Sequence, residues 1–292
     1  MGLHDACWTR VILFFMSWVP AWVFMVALHP ITLLVYVLAA GPRETVRANL
    51  SALIPGKGAS SMDVYQVFLQ FALTYLDRLW HIHFRKEIDW EIIGREDFEE
   101  LQEHKGGALI FTVHSGNYDI GAGLFARKFR RPIHTVRMPE ASDSLQKLRK
   151  QELCEEERRE PNLHIHYNEP GGHLGMELFR LLMAGEVVCV QGDRVLGEVT
   201  PMQVSCEGVT FRIPRGPMVL AEVTNVPCYA VFLSRRGLLS YRIEIGKPFH
   251  PGGQKAKAAE ISAKWVAVMH RFLSQHWDQW FVFEPLVSRD AA

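Results

Sequence analysis

Apolar positions fall into three patterns along the chain, and each predicts a different kind of element. From Val11 to Ala40 there is no charged residue, and Ser17, His29 and Thr32 are nearly the sole polar side chains. That run exceeds the roughly 20 residues a helix needs to cross a bilayer. Trp8, Trp18 and Trp22 suit a membrane interface, where amphipathic rings are favoured. Pro20 and Pro30 each remove a helix hydrogen bond, so shorter interfacial helices fit the run as well as a straight span does. A cleaved signal peptide does not fit, because Arg10 alone forms the charged start and the apolar stretch is too long.

The second pattern is helical spacing. Arg43 to Leu53 reads as a helix stopped by the breaker cluster Pro55-Gly-Lys-Gly58. Val64, Phe68, Phe71, Leu76 and Leu79 recur at helical intervals and predict a helix over 62–86. Tyr118, Ile120, Leu124 and Phe125 predict another from about 118, and further helices are expected over 174–184, 217–225 and 255–276. Residues 142–160 also read as helical, but with so few apolar positions that a solvated face is expected. The third pattern is the short, continuous, β-branched run, which marks a buried strand. Runs at 108–113, 132–136, 163–167, 186–190, 202–205, 209–213, 227–233 and 239–245 have this character.

Strands alternating with helices predict an α/β fold: a central, mostly parallel mixed sheet flanked by helices. No low-complexity linker or repeat divides the chain after residue 42, so residues 43–292 are expected to be one α/β domain. Residues 1–42 precede it as an apolar helical membrane-attachment segment. Composition narrows the partners. The 32 basic and 32 acidic residues cancel, which leaves no global field to favour nucleic acid. The 5 cysteines are scattered with no CxxC pair, so neither a disulfide framework nor a structural zinc set is expected.

Chemistry gathers where three strands end. The run 108–113 stops at His114, 132–136 at Arg137, and 186–190 leads to Asp193-Arg194. In parallel sheets ligands bind at the carboxyl ends of strands, so these side chains are expected to converge on one edge. An imidazole titrates near neutral pH and is suited to take a proton from a hydroxyl. Asp119, five residues on in the first helical turn, is a carboxylate able to hold the other ring nitrogen and fix the tautomer. Ser115 is adjacent, but Gly-x-Ser-x-Gly is absent, so direct attack by an acceptor hydroxyl on an activated acyl carbonyl is the simpler scheme. Asn117, backbone amides at the helix start, and Arg137 are all candidates to stabilise the oxyanion.

Other patterns are weaker. Gly171-Gly-His-Leu-Gly175 resembles a phosphate-cradling turn without the GxGxxG order, the one feature that favours a nucleotide-dependent oxidoreductase. His164 and His166 share a strand face without an evident third metal ligand, and His81 and His83 do not share a helix face. No metal and no cofactor is expected.

His114-Ser-Gly-Asn-Tyr-Asp119 resembles the His-x-Gly-Asn-Trp-Glu block of the bacterial lipid A biosynthesis lauroyl/myristoyl acyltransferases. These belong to the wider His-x4-Asp/Glu glycerolipid acyltransferase superfamily. The likeness extends to Arg47-Ala-Asn-Leu50, Val136-Arg-Met-Pro139, Val190-Gln-Gly-Asp193, Cys206-Glu-Gly208 with Pro214-Arg-Gly-Pro217, and His276-Trp-Asp-Gln-Trp-Phe281. It implies that His114 and Asp119 are catalytic. It implies that Arg137 and Asp193 belong to the active site, and Asn117, Arg194 and Arg215 are expected beside them as substrate-binding residues. The implied reaction moves a fatty acyl chain from an acyl carrier protein or coenzyme A thioester to a hydroxyl of a lipid or glycolipid. The implied setting is the bacterial inner membrane, with the catalytic domain on its cytoplasmic side. The chain departs from the pattern at Asp119 (glutamate is commoner), at Tyr118, at Cys206-Glu207 and at Val231. These departures leave the acceptor open, and an inactive membrane lipid-binding or scaffold protein of the same fold is the competing reading.

Overall fold

The protein is described by a computed structural model covering residues 6–54, 58–139, 143–169, 172–195, 199–253 and 255–289. Pro55 to Lys57 of the breaker cluster and Gly171 of the glycine-rich turn lie outside the described residues, as do the side chains of Trp8 and Arg10.

In chain order the elements begin with four helices: α1 (Ala6–Met16), α2 (Ala21–Leu38), α3 (Ala40–Leu53) and α4 (Ser61–Phe84). Strand and helix then alternate through β1 (Asp89–Ile93), α5 (Arg95–Glu103), β2 (Ala108–Thr112), α6 (Tyr118–Lys128), β3 (Ile133–Arg137), α7 (Asp143–Arg159), β4 (Leu163–Tyr167), α8 (Leu174–Met183) and β5 (Val187–Gln191). The chain closes with β6 (Pro201–Cys206), β7 (Val209–Pro214), α9 (Arg215–Thr224), β8 (Cys228–Gly237), β9 (Ser240–Ile245), α10 (Ala258–Gln275) and β10 (Val287–Arg289).

A seven-stranded sheet runs in the order β1-β9-β8-β2-β5-β3-β4, parallel except for the β8–β9 hairpin. A three-stranded antiparallel sheet, β10-β7-β6, stands beside it. The expected mixed, mostly parallel α/β architecture is the one observed. β2 lies at the centre and is buried on both faces, which explains its unbroken apolar run. Leu109, Phe111 and Val113 enter one core cluster with α9 and α10; Ala108 and Ile110 enter the other beneath α5 and α6. On the first face Phe111 meets Trp265 of α10 with ring centroids 5.2 Å apart. Because β3 and β2 both flank β5 in parallel, their carboxyl ends share one edge of the sheet.

Several parts of the chain differ from the pattern-based expectation, α5, β10, β1 and α7 among them. β1 was not expected, because an edge strand with one charged and one exposed end carries little apolar signal. α7 has the expected solvated face, with Lys147, Lys150, Gln151, Glu155, Arg158 and Arg159 exposed, but it also has an inner side: Glu152 and Leu153 are buried, and Arg149, Glu152 and Glu156 line a cavity. The polar residues of that inner side pair with charges inside the protein.

α2 is the one helix among the described residues long and apolar enough to cross a membrane, with a mean hydropathy of 2.1. Pro20 stands at its N-terminal cap and Pro30 lies inside it. One side packs on α4, where Phe24 meets Trp80 and Tyr36 meets Phe68 edge-on. The other side leaves Trp22, Val26, Leu34 and Leu38 exposed, continuing from Trp18, which is 80% exposed.

Candidate active site

Backbone geometry at the end of β2 turns one histidine onto the sheet edge. After Val113 the chain bends, with the Ser115 amide donating to the Val113 carbonyl at 2.8 Å. Gly116 follows at φ +52°, where a Cβ would lie 2.5 Å from the Leu233 carbonyl oxygen, so only glycine fits the close approach to β8. α6 then starts at Tyr118, and the His114 ring rests against the Tyr118 ring at 4.9 Å.

The ring's partner is Asp193. His114 Nδ1 lies 2.9 Å from Asp193 Oδ1, and the His114 backbone amide donates to Oδ2 at 2.9 Å. Trp280 Nε1 donates to the same Oδ2, also at 2.9 Å. Burial by itself would raise the Asp193 pKa. The His114 ring and amide, with the Trp280 indole, outweigh it and hold the carboxyl below its ordinary value. Asp193 is placed by Gly192, whose amide donates to the Thr112 carbonyl and whose carbonyl accepts from Trp265 Nε1, each at 2.9 Å. A Cβ at Gly192 would meet that same indole nitrogen at 2.9 Å, so a side chain there would displace the support behind the carboxylate. The carboxyl-terminal Gln279-Trp-Phe281 segment completes the arrangement, with the Phe281 amide donating to the His114 carbonyl at 2.8 Å.

Asp119 does not hold the histidine ring, contrary to the expectation from spacing. From the first turn of α6 it reaches a cluster of guanidinium groups instead. Arg137 Nη2 lies 2.8 Å from Asp119 Oδ1, while Arg78 Nε and Arg149 Nη2 lie 3.2 and 3.4 Å from Oδ2. Burial again acts to raise the pKa, and Arg137 and Arg78 reverse it to a net lowering. Arg78 also pairs with Glu152, which in turn takes His83 Nε2 at 2.9 Å. This hub ties α4, α6, β3 and α7 together beside the histidine.

The other expected residues divide. Arg137 and Arg194 line the same cavity as His114; Arg194 pairs with Glu284. Asn117 also borders it, but its amide donates to the Thr74 carbonyl and the Tyr241 hydroxyl, both at 3.2 Å, so its N–H groups are already committed to α4 and β9. Arg215 is exposed at the start of α9, away from the cavity wall, so the structure does not bring it to the site. The Ser115 hydroxyl donates to the Leu233 carbonyl at 2.8 Å and is buried, which leaves it no nucleophilic role. His164 and His166 lie away from the site; His166 binds His134 and Glu177, each at 2.9 Å.

Sequence reading missed Trp280, Arg78 and Arg149 as parts of the site. Arg78 had a signal: Asp77-Arg78 interrupts an otherwise apolar helix and both are buried. Lys, Arg, Asp and Glu are almost never fully buried without partners.

A cavity of about 720 Å³ opens from His114 along the face of the sheet under α6 and α7. Near the histidine it is polar. Deeper in, its wall is Ile110, Phe125, Ile133, Leu163, Ile165 and Val231. Nδ1 being held by Asp193, the ring presents Nε2 for proton transfer at the mouth of an apolar chamber. α6 begins without a side-chain cap; of its first-turn amides, that of Ile120 donates back to the Asn117 carbonyl at 3.1 Å.

The family model described as bacterial lipid A biosynthesis acyltransferase matches residues 6–288. No curated protein matches the chain.

Proposed function

Because the chain belongs to the bacterial lipid A biosynthesis acyltransferase family, we propose that His114, held by Asp193, is the general base of its acyl transfer. Membership makes the chain an acyltransferase of lipid biosynthesis that uses an acyl donor and a lipid acceptor. The finer scheme rests on one observation: the carboxylate bonded to the His114 ring is Asp193, and the ring faces an apolar cavity. A fatty acyl thioester, of acyl carrier protein or coenzyme A, lays its chain in that cavity. His114 Nε2 takes the proton of an acceptor hydroxyl on a lipid or glycolipid as its oxygen attacks the thioester carbon. Asp193 stabilises the imidazolium. The oxyanion is met by the uncapped amides of α6. Collapse forms the ester and breaks the carbon–sulfur bond, and the imidazolium proton passes to the departing thiolate.

Asp119 and its arginines act as a scaffold that fixes α6, and with it the histidine turn. Residues 1–42 attach the enzyme to a membrane, and 43–292 form the catalytic domain. The exposed apolar side of α2 supports the attachment, as do Trp18 and Trp22 beside it. We place the protein at the bacterial inner membrane with its catalytic domain on the cytoplasmic side, where acyl thioesters are made.

The test compares lipids by mass spectrometry from cells with the protein, without it and with His114→Ala. The reading expects one acylated lipid to disappear in both of the latter. Acyl transfer that persists unchanged in a His114→Ala membrane extract would overturn it.

A further inference from the structure

Far from the cavity's chemistry, the turn between β6 and β7 carries a second cluster of reactive side chains. β6 ends at Cys206, the turn is Glu207-Gly208, and β7 begins at Val209, paired with Cys206. Glu207 and Gly208 both have positive φ, 51° and 75°. That is the backbone of a two-residue hairpin of the primed type. The turn brings Cys206 and Glu207 against His270 on α10. The thiol sulfur, a Glu207 carboxylate oxygen and a His270 ring nitrogen all lie within 4.8 Å of one another. His270 Nδ1 is 3.5 Å from Glu207 Oε2.

We propose that Cys206, Glu207 and His270 bind a thiophilic divalent cation, zinc being the ion that fits, and that the ion clips the β6–β7 hairpin to α10. The donor set is one sulfur, one imidazole nitrogen and one carboxylate oxygen, all ligand types that zinc takes. Tetrahedral coordination at zinc bond lengths needs ligand atoms about 3.5 Å apart. The His270–Glu207 separation already has that value, and the exposed Glu207 side chain is free to adjust. His270 is buried, with its ring against Phe211 of β7 at 5.7 Å, so one ligand is fixed in place before the ion arrives. Three protein ligands leave a fourth position to solvent, so the ion exchanges with the medium.

The site is remote in sequence, since His270 arrives from the last long helix. That explains why cysteine spacing alone does not reveal it. The same helix carries Trp265, whose indole bonds the Gly192 carbonyl next to Asp193. A cation here would therefore brace the helix that backs the active-site carboxylate, without touching the substrate.

The test uses the purified full-length chain in detergent, reduced and stripped with a chelator, then titrated with Co²⁺. One equivalent should bind with a thiolate-to-metal charge-transfer band and tetrahedral visible bands, and Zn²⁺ should displace it. Zn²⁺ alone should raise the thermal midpoint by about 5 °C. Cys206→Ser should abolish the charge-transfer band. Glu207→Gln, on an exposed turn where folding is not at risk, should weaken binding about tenfold, and His270→Gln should weaken it further. The absence of a charge-transfer band in the parent would overturn the proposal. So would a band that survives in Cys206→Ser, which would place the ion on another of the five cysteines.

Discussion

Two aspartates stand near His114, Asp193 buried and Asp119 half-buried, and they live in different electrostatic worlds. Asp193 sees one imidazole, one backbone amide and one indole, while Asp119 sees three guanidinium groups. Both have lowered pKa values against the pull of burial, so titration alone does not tell them apart. Geometry does. The carboxylate near His114 in sequence binds arginines rather than its ring, and the one just past the end of the neighbouring strand β5 supplies the bond. Short spacing reports who shares a helix; sheet topology reports who shares a site.

That contrast can be broken by experiment. His114→Ala should have the largest effect, lowering kcat by about ten-thousand-fold in an acyl-thioester transfer assay, because it removes the base itself. Asp193→Asn should come next, costing about a thousand-fold in kcat, since an amide neither fixes the tautomer nor stabilises the imidazolium. Asp119→Asn should act on stability instead. Leaving three arginines around a neutral amide costs about 3 kcal/mol in denaturant unfolding, with kcat falling far less than in Asp193→Asn. If the two asparagine variants exchange these phenotypes, the assignment of roles is wrong.

Trp280→Phe keeps the ring and removes one donor to Asp193. A charge-assisted hydrogen bond of about 1.5–2 kcal/mol corresponds to a drop of roughly tenfold in kcat. The smallest effect is expected at Glu156, which borders the arginine hub from α7. Burial is the main cause that pushes its pKa up, from 4.5 to about 7. The folded state then holds the proton longer than the unfolded chain, so stability falls as pH rises through that interval. Glu156→Gln should match the parent near pH 4 and be about 2 kcal/mol more stable at pH 8, with little change in kcat. Unfolding measured across that pH range checks it, and equal curves would remove Glu156 from the hub's electrostatics.

Much of this organisation was legible in the residues. The continuous apolar run of β2 and the polar groups after β2, β3 and β5 announced a parallel sheet with chemistry at one edge. The structure places His114, Arg137 and Arg194 on one cavity there. What periodicity could not report was the side on which Asp119, in the first turn of α6, would point. That is decided by the positive φ at Gly116 and by where α4 and α7 deliver their arginines. The inner charged side of α7 went unseen for the same reason. Charges that pair inside a protein look, in one dimension, like charges that face water. Trp280 was visible as part of a terminal aromatic box, but nothing local shows that its indole reaches back to Asp193.

Trp280 and Phe281 also tie the histidine turn to a segment that leaves the ribosome late. Asp193 and the His114 carbonyl are both anchored by residues translated long after the histidine. A nascent chain exposes α1 and α2 first, and the contacts that anchor the His114 turn and Asp193 can be completed only when the segment bearing Trp280 and Phe281 has followed.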